Sequence, residues 1–262
     1  MSLHTPRIQA PRLHAIASGK GGVGKTVLAI TLAHALARAG LRVLLVDADL
    51  GLANLDIQLG LVPSRDLSTV IAGRARLADA VLRHAAGFDL LPGRSGSPAL
   101  AGIDPAGLDR LLAGLRALAT GYDHLLLDCG AGLSATTRRI SATADQLLVV
   151  ATPEPTSLTD AYAVLKLHRA DRGPPDGAWP AAIIANAVRD RAEGLRVHAT
   201  LARACRGFLG DEPTLAGIVR ADRHVADAIR HQTPLLTRHP TCNAAEDIIT
   251  ISEKLRAAPV LA

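Results

Sequence analysis

Five stretches of the chain, 14-HAIAS-18, 42-RVLLVDAD-49, 124-HLLLDCG-130, 146-QLLVVATP-153 and 180-PAAIIAN-186, are apolar over most of their length without alternating in and out. Two further ones, 88-FDLLPG-93 and 214-TLAGIV-219, share the character. A strand wetted on one side alternates, whereas a strand covered on both faces does not, as in a parallel sheet held between helices. Helical patterns fill the gaps: Lys25 to Ala39, Pro105 to Ala119, Ser134 to Ala144, Leu158 to Ala170, Ala192 to Phe208 and Ala221 to His231. In 105-PAGLDRLLAGLRALA-119, Leu108, Leu111, Leu112, Leu115 and Leu118 form one stripe, as a helix lying on a sheet requires. The alternation predicts a doubly wound α/β fold, a mostly parallel sheet with helices on both faces. The Pro/Gly-rich 171-DRGPPDGAWP-180 reads as a surface loop, not a linker. One domain over residues 13–256 is expected, with an N-terminal extension at 1–12 and a C-terminal tail at 257–262.

The first βα junction carries the chemistry. Residues 19–26, GKGGVGKT, match G-x-x-x-x-G-K-[ST] between a strand and a helix. Glycines there let main-chain N–H groups turn inward around phosphate oxygens at a helix N-terminus. The loop from Gly21 through Gly22, Val23 and Gly24 to Lys25 and Thr26 is therefore a candidate nucleotide site. Lys25 would reach the β/γ-phosphates, and the Thr26 hydroxyl would ligate Mg²⁺. The second lysine, Lys20, is left over. The chain holds only four lysines, Lys20, Lys25, Lys166 and Lys254, and two of them fall in this loop.

A magnesium-dependent phosphate site also needs acids at neighbouring strand ends. Asp47 and Asp49 close one apolar run and Asp128 another, where 128-DCGAG-132 runs into glycines. Strand-end aspartates often only form turns; three of them alongside a P-loop favour the magnesium reading. Glu154, in 152-TPEPT-156, has two roles open to it, helix cap or neighbour of the nucleotide. Cys129 reads as a small buried residue.

Composition narrows the rest. Net charge is +5, but the arginines are scattered, so nucleic-acid binding is not expected. Cys129, Cys205 and Cys242 form no CxxC pair and the ten histidines show no ligand spacing, so neither disulfides nor a zinc cluster is expected. The first twelve residues lack an apolar core and no apolar run reaches 18 residues, so a cytoplasmic protein without signal peptide or membrane span is expected.

With its lysine at the second motif position, KGGVGKT resembles the deviant Walker A motif of the MinD/ParA ATPases. Together, 46-VDADLGLANLD-56, 125-LLLDCGAGLS-134 and 151-ATPEPTSLTDAYAVLK-166 resemble one branch in particular, the flagellar-number regulators of the FlhG (FleN) type, over residues 13–235. The resemblance implies a MinD-like P-loop NTPase fold of the SIMIBI class and a Mg-ATP-dependent homodimer that hydrolyses ATP. It further implies that Lys20 crosses the dimer to the partner's γ-phosphate. Asp49 would orient the attacking water, and Asp47 and Asp128 would stand around magnesium. Asn186 would read adenine, while a plain strand-end turn stays open for it. Implied partners are an FlhF-like GTPase or a flagellar assembly or transcription protein.

Two departures bear on that picture. The C-terminal 245-AEDIITISEKLRAAPVLA-262 has an apolar stripe of Ile248, Ile251 and Leu255, but Asp247 and Glu253 offset Lys254 and Arg256. It reads as a final helix packed on the core rather than a basic membrane anchor, which leaves peripheral contact with the inner membrane surface weakly supported. The N-terminal residues also lack the DQAxxLR-like element associated with FlhF stimulation. A MinD or ParA positioning ATPase for division or DNA and a nucleotide-binding scaffold without turnover stay open as alternatives; the absent CxxC argues against an iron–sulfur carrier.

Overall fold

In the computed structural model, which describes residues 12–173 and 179–257, all seven apolar runs are strands of one sheet. They are β1 (Arg12–Ser18), β2 (Val43–Ala48), β4 (Asp89–Leu91), β5 (His124–Ala131), β6 (Gln146–Ala151), β7 (Ala181–Val188) and β8 (Thr214–Arg220). An eighth strand, β3 (Leu82–Arg83), runs antiparallel to β4 at one edge; every other pairing is parallel, in the order β3-β4-β2-β5-β1-β6-β7-β8. From β1 the chain winds outward to β2 and β4, returns through β5, and then builds the other half through β6, β7 and β8. A crevice at the carboxyl ends is expected where the winding direction reverses, beside β1 and β5.

Both faces of the sheet are covered, which is why the strands lack alternation. Ile16, Leu45, Leu126, Leu148 and Ile184 belong to a core with α1 (Lys25–Arg38) and α11 (Asn243–Ala257). Ala15, Val46, Leu127, Val149 and Ile183 belong to a second core. It is closed by α5 (Pro105–Ala119), α6 (Ala135–Ala142), α7 (Pro155–Arg172) and α8 (Arg191–Leu209). Successive strand residues thus serve opposite cores, and each must be apolar. On α5, four of the five predicted stripe leucines are buried, and Leu118 packs partly buried beside them. The start of α5 is fixed by Asp104, which accepts a hydrogen bond from the Gly107 N–H at 2.5 Å, and by Pro105 in its first turn.

The C-terminal segment is the expected packed helix. Ile248, Ile251 and Leu255 of α11 are buried, Asp247 pairs with Arg220 at 2.8 Å, and a side chain at Gly217 would collide with Ile251. Arg12 donates to the Leu255 carbonyl at 2.6 Å, tying the start of β1 to the last turn of α11. These two ends shift the expected limits slightly, since Arg12 lies in β1 and Ala257 in α11. Residues 1–11 and 258–262, and 174–178 of the 171–180 loop, lie outside the described residues.

Several short elements had no clear pattern in the sequence: α2 (Leu55–Gln58), α3 (Leu67–Ile71), a 3-10 turn at Leu77–Ala80, β3, α4 (Pro98–Ala101) and α10 (Leu235–Arg238). Each spans five residues or fewer, too few for a period to show. The remaining helix, α9 (Arg223–Arg230), begins two residues later than expected because Asp222 caps it from outside. Among the described residues, no helix is long and apolar enough to cross a membrane.

Candidate functional site

The crevice holds the phosphate-loop motif. Between β1 and α1 the chain turns through Gly22 and Gly24 at φ 78° and 90°, left-handed conformations that favour glycine. Gly24 caps α1 with no side-chain hydrogen bond, so the first N–H groups of the helix have no side-chain partner at the cap. Lys25, the first helical residue, donates to the Ser18 hydroxyl at 2.9 Å, and Ser18 in turn donates to the Lys20 carbonyl at 2.7 Å. Ser18 is a site residue that sequence reasoning missed. Its signal was its position, immediately before the motif on a strand end.

Beneath the loop, β2 and β5 place Asp47 and Asp128 side by side in register. Both project to the α1 face, two residues beyond the core leucines Leu45 and Leu126. Asp47 is 1% exposed and Asp128 2%. Asp47 accepts main-chain N–H bonds from Asn54 at 2.9 Å and Leu55 at 3.0 Å, so it also braces the turn that carries Asp49. Burial pushes the Asp47 carboxyl up to about 8; the N–H bonds from Leu55 and Asn54 oppose this and the Asp128 charge adds to it. Burial likewise pushes Asp128 up to about 7, against the Thr26 hydroxyl and the Lys25 charge. Asp49 sits over Gly130, where a Cβ would stand 3.1 Å from its carboxyl carbon, and it accepts from the Leu52 N–H at 2.9 Å.

The fit of this cluster to a divalent cation rests on one atom. Asp128 Oδ1 is fully buried and has no hydrogen-bond partner. A buried carboxylate oxygen without a hydrogen bond is costly, and the same carboxyl group stands against the Thr26 hydroxyl, a hard oxygen ligand. Thr26, Asp47 and Asp128 thus form the all-oxygen, acid-rich surroundings that suit Mg²⁺.

Lys20 and Asn186 occupy the two flanks. Lys20 Nζ donates to Glu154 Oε2 at 2.6 Å and to Thr156 Oγ1 at 3.2 Å, at the first turn of α7. Glu154 stands at the N-cap of α7 without capping it, and its carboxylate goes to Lys20 of the phosphate loop, beside the candidate nucleotide site. Asn186, on β7, donates from Nδ2 to the Val23 carbonyl at 2.7 Å. It also lines a cleft of about 210 Å³ whose walls include Leu28, Val219, Val225 and Ile248. A slot with apolar walls and a few polar groups, Asn186, Arg220 and Asp222, adjoining a phosphate loop, suits a flat heterocycle. Cys129 is buried, as expected, and burial pushes its thiol pKa upward.

The arrangement has relatives. Residues 14–235 match the family model described as the CobQ/CobB/MinD/ParA nucleotide binding domain. The chain is 34% identical to the antiactivator FleN of Pseudomonas aeruginosa over 94% of its own length and 86% of FleN. It is 33% identical to the flagellum site-determining protein YlxH of Helicobacter pylori, over 73% of this chain and 63% of that protein. Among solved structures it is similar to the septum site-determining protein MinD complexed with Mg-ADP from Pyrococcus horikoshii. That likeness has a TM-score of 0.77 and 25% identity, and covers 94% of this chain and 96% of the other.

Proposed function

The chain belongs to the CobQ/CobB/MinD/ParA nucleotide-binding family, and from that premise we propose that it is a dimerising Mg-ATPase switch that regulates flagellar number or placement. The observation that carries the ATPase half is the meeting of Lys25, Thr26, Asp47 and Asp128 at one strand-end crevice, with an oxygen of Asp128 buried and unpartnered. The likeness to FleN and YlxH carries the flagellar half.

The inward N–H groups of Gly21 through Thr26 bind the phosphates, and Lys25 exchanges its Ser18 partner for β/γ oxygens. Thr26, Asp47 and Asp128 would hold Mg²⁺, which would supply charge neutralisation on the phosphate oxygens. Asp49, held over Gly130, orients the attacking water. Asn186 and the adjoining cleft take the base. Lys20 leaves Glu154 and reaches the γ-phosphate of a second protomer, so that charge stabilisation is complete only in the dimer. Leu52 and Leu133, exposed apolar residues on the loops that follow Asp49 and Gly132, would be available to such a second protomer.

Turnover per protomer should therefore rise with protein concentration and level off once dimers dominate. A rate independent of concentration overturns the shared site. Deleting the gene should change the number or position of flagella per cell. Unchanged flagella with displaced septa would instead favour a positioning ATPase, the second reading that the likeness to MinD supports.

A further inference from the structure

Away from the phosphate loop, the turn between β8 and α9 and the turn between α10 and α11 bring three different donor atoms together. Asp222, His224 and Cys242 each offer one ligand atom, and these atoms lie within 4.8 Å of one another. Asp222 Oδ1 receives the His224 N–H at 2.9 Å and stands 2.7 Å from His224 Nδ1. Cys242, by contrast, reaches the group from a segment 20 residues further along the chain.

Capping explains part of this cluster. Asp222 caps α9, and its second carboxylate oxygen lies 3.5 Å from the Ala244 N–H at the start of α11. The half-buried Cys242, placed just before α11, meets the Ala244 and Ala245 N–H groups and the Asp222 carboxylate, so local hydrogen bonds and capping hold the three donors together beside an imidazole. An imidazole nitrogen, a carboxylate oxygen and a thiol sulfur are the ligand types of zinc.

The surroundings also suit a metal. The His239 ring lies 4.4 Å from that of His224, and its Nε2 is fixed by Asp227 at 2.7 Å. Asp227 further takes Arg238 at 2.5 Å, so the His239 ring that lies against His224 is held in place.

We propose that Asp222, His224 and Cys242 form a binding site for a zinc-type divalent cation, with a fourth position left to water. The reading is independent of the ATPase assignment, although Asp222 also lines the Asn186 cleft. Bound metal would tie the β8 end of the cleft wall to the start of α11. Binding uses the Cys242 sulfur as a thiolate, so it releases a proton. The irregular separation of positions 222, 224 and 242 is why no ligand spacing was visible in the sequence.

The test uses the full chain, freed of metal and kept reduced, titrated with Co²⁺ and then Zn²⁺. One equivalent of Co²⁺ should give a thiolate-to-metal absorption band that Zn²⁺ abolishes. Cys242→Ser should lose the band and weaken Zn²⁺ binding about tenfold or more, with Mg-ATP binding retained as the check on folding. In the unsubstituted chain, one equivalent of Zn²⁺ should protect Cys242 from iodoacetamide, read by peptide mass mapping. That arm stands even if the variant does not fold. Absence of the band, or alkylation of Cys242 at the same rate with and without Zn²⁺, overturns the site.

Discussion

At the phosphate end of the candidate nucleotide site, two aspartates are buried side by side and one carboxylate oxygen has no partner. Two glycines there hold left-handed conformations. At the base end, the walls include core residues such as Leu28, Val219 and Ile248, and the polar groups already have partners: Asn186 in the Val23 carbonyl, Arg220 in Asp247 and Asp222 in His224. The first end is built around charge that the protein alone does not neutralise. The second is a packed surface with a slot in it. Ligand should therefore change the stability and titration of the phosphate end strongly, while the base end contributes a modest, additive share of affinity.

The largest departure from that contrast should come from charge supplied across the dimer. Lys20→Ala should lower maximal ATP turnover by about 1000-fold, the scale of a cationic finger, with ATP affinity changed only a few-fold. A steady-state rate set beside an equilibrium ATP titration separates the two quantities. An equal loss in both would move Lys20 from the transition state to simple binding.

Next in size is a pH effect confined to the phosphate end. Asp47 and Asp128 titrate near 8 and 7 in the folded protein, above the ordinary carboxylate range. The folded state then binds more protons than the unfolded, so their contribution to stability is full at low pH and is lost as pH climbs through 7 to 8. His14, His34, His124 and His168, with imidazoles lowered to about 3 or 4, act in the opposite sense, destabilising the protein as pH falls below the free histidine value of 6.5. The clean window is therefore above about pH 6.5. Without nucleotide, the melting temperature should fall by a few degrees, about 2–4 °C per kcal/mol, between about pH 6.5 and 8.5. Mg-ATP should flatten that slope. A nucleotide-free protein with a flat profile across this window would erase the contrast between the two ends.

At the base end, Asn186→Ala should weaken nucleotide binding by about 1 kcal/mol, roughly fivefold in Kd, and leave the pH profile untouched. Isothermal titration at two pH values reads both. The smallest effect belongs to Glu154→Gln. The Lys20–Glu154 pair is solvent-exposed, with side chains 40% and 63% accessible, so releasing it should be worth under about 1 kcal/mol. The variant should reach half-maximal ATPase at a protein concentration lower by less than about fivefold.

The strands, the long helices and the phosphate loop could be read from the chain because each is written in consecutive residues. Asp47, Asp49 and Asp128 were legible as strand ends, and their grouping followed once β2 and β5 were understood as neighbours. What could not be read depends on contacts between distant segments. The partner of Lys20 lies 134 positions away, and the two-residue β3 has no pattern of its own without β4 beside it. Glu154 had two roles open to it, helix cap or neighbour of the nucleotide, because its position is a cap; only the packing of α7 against the loop directs its carboxylate to Lys20.

The same packing fixes Gly19. A Cβ there would run into the main-chain carbonyl of Asp160, in the second turn of α7, with no flexible side-chain end to yield. Lys20, the next residue, is held by Glu154 and Thr156 one turn earlier on the same helix. Backbone rests on backbone at Gly19, and an exposed, releasable side-chain pair lies at the next residue, so Gly19 is the fixed point of contact between loop and helix. A displacement of α7 toward the loop would therefore meet the main chain at the first residue of the phosphate cradle before it met any side chain.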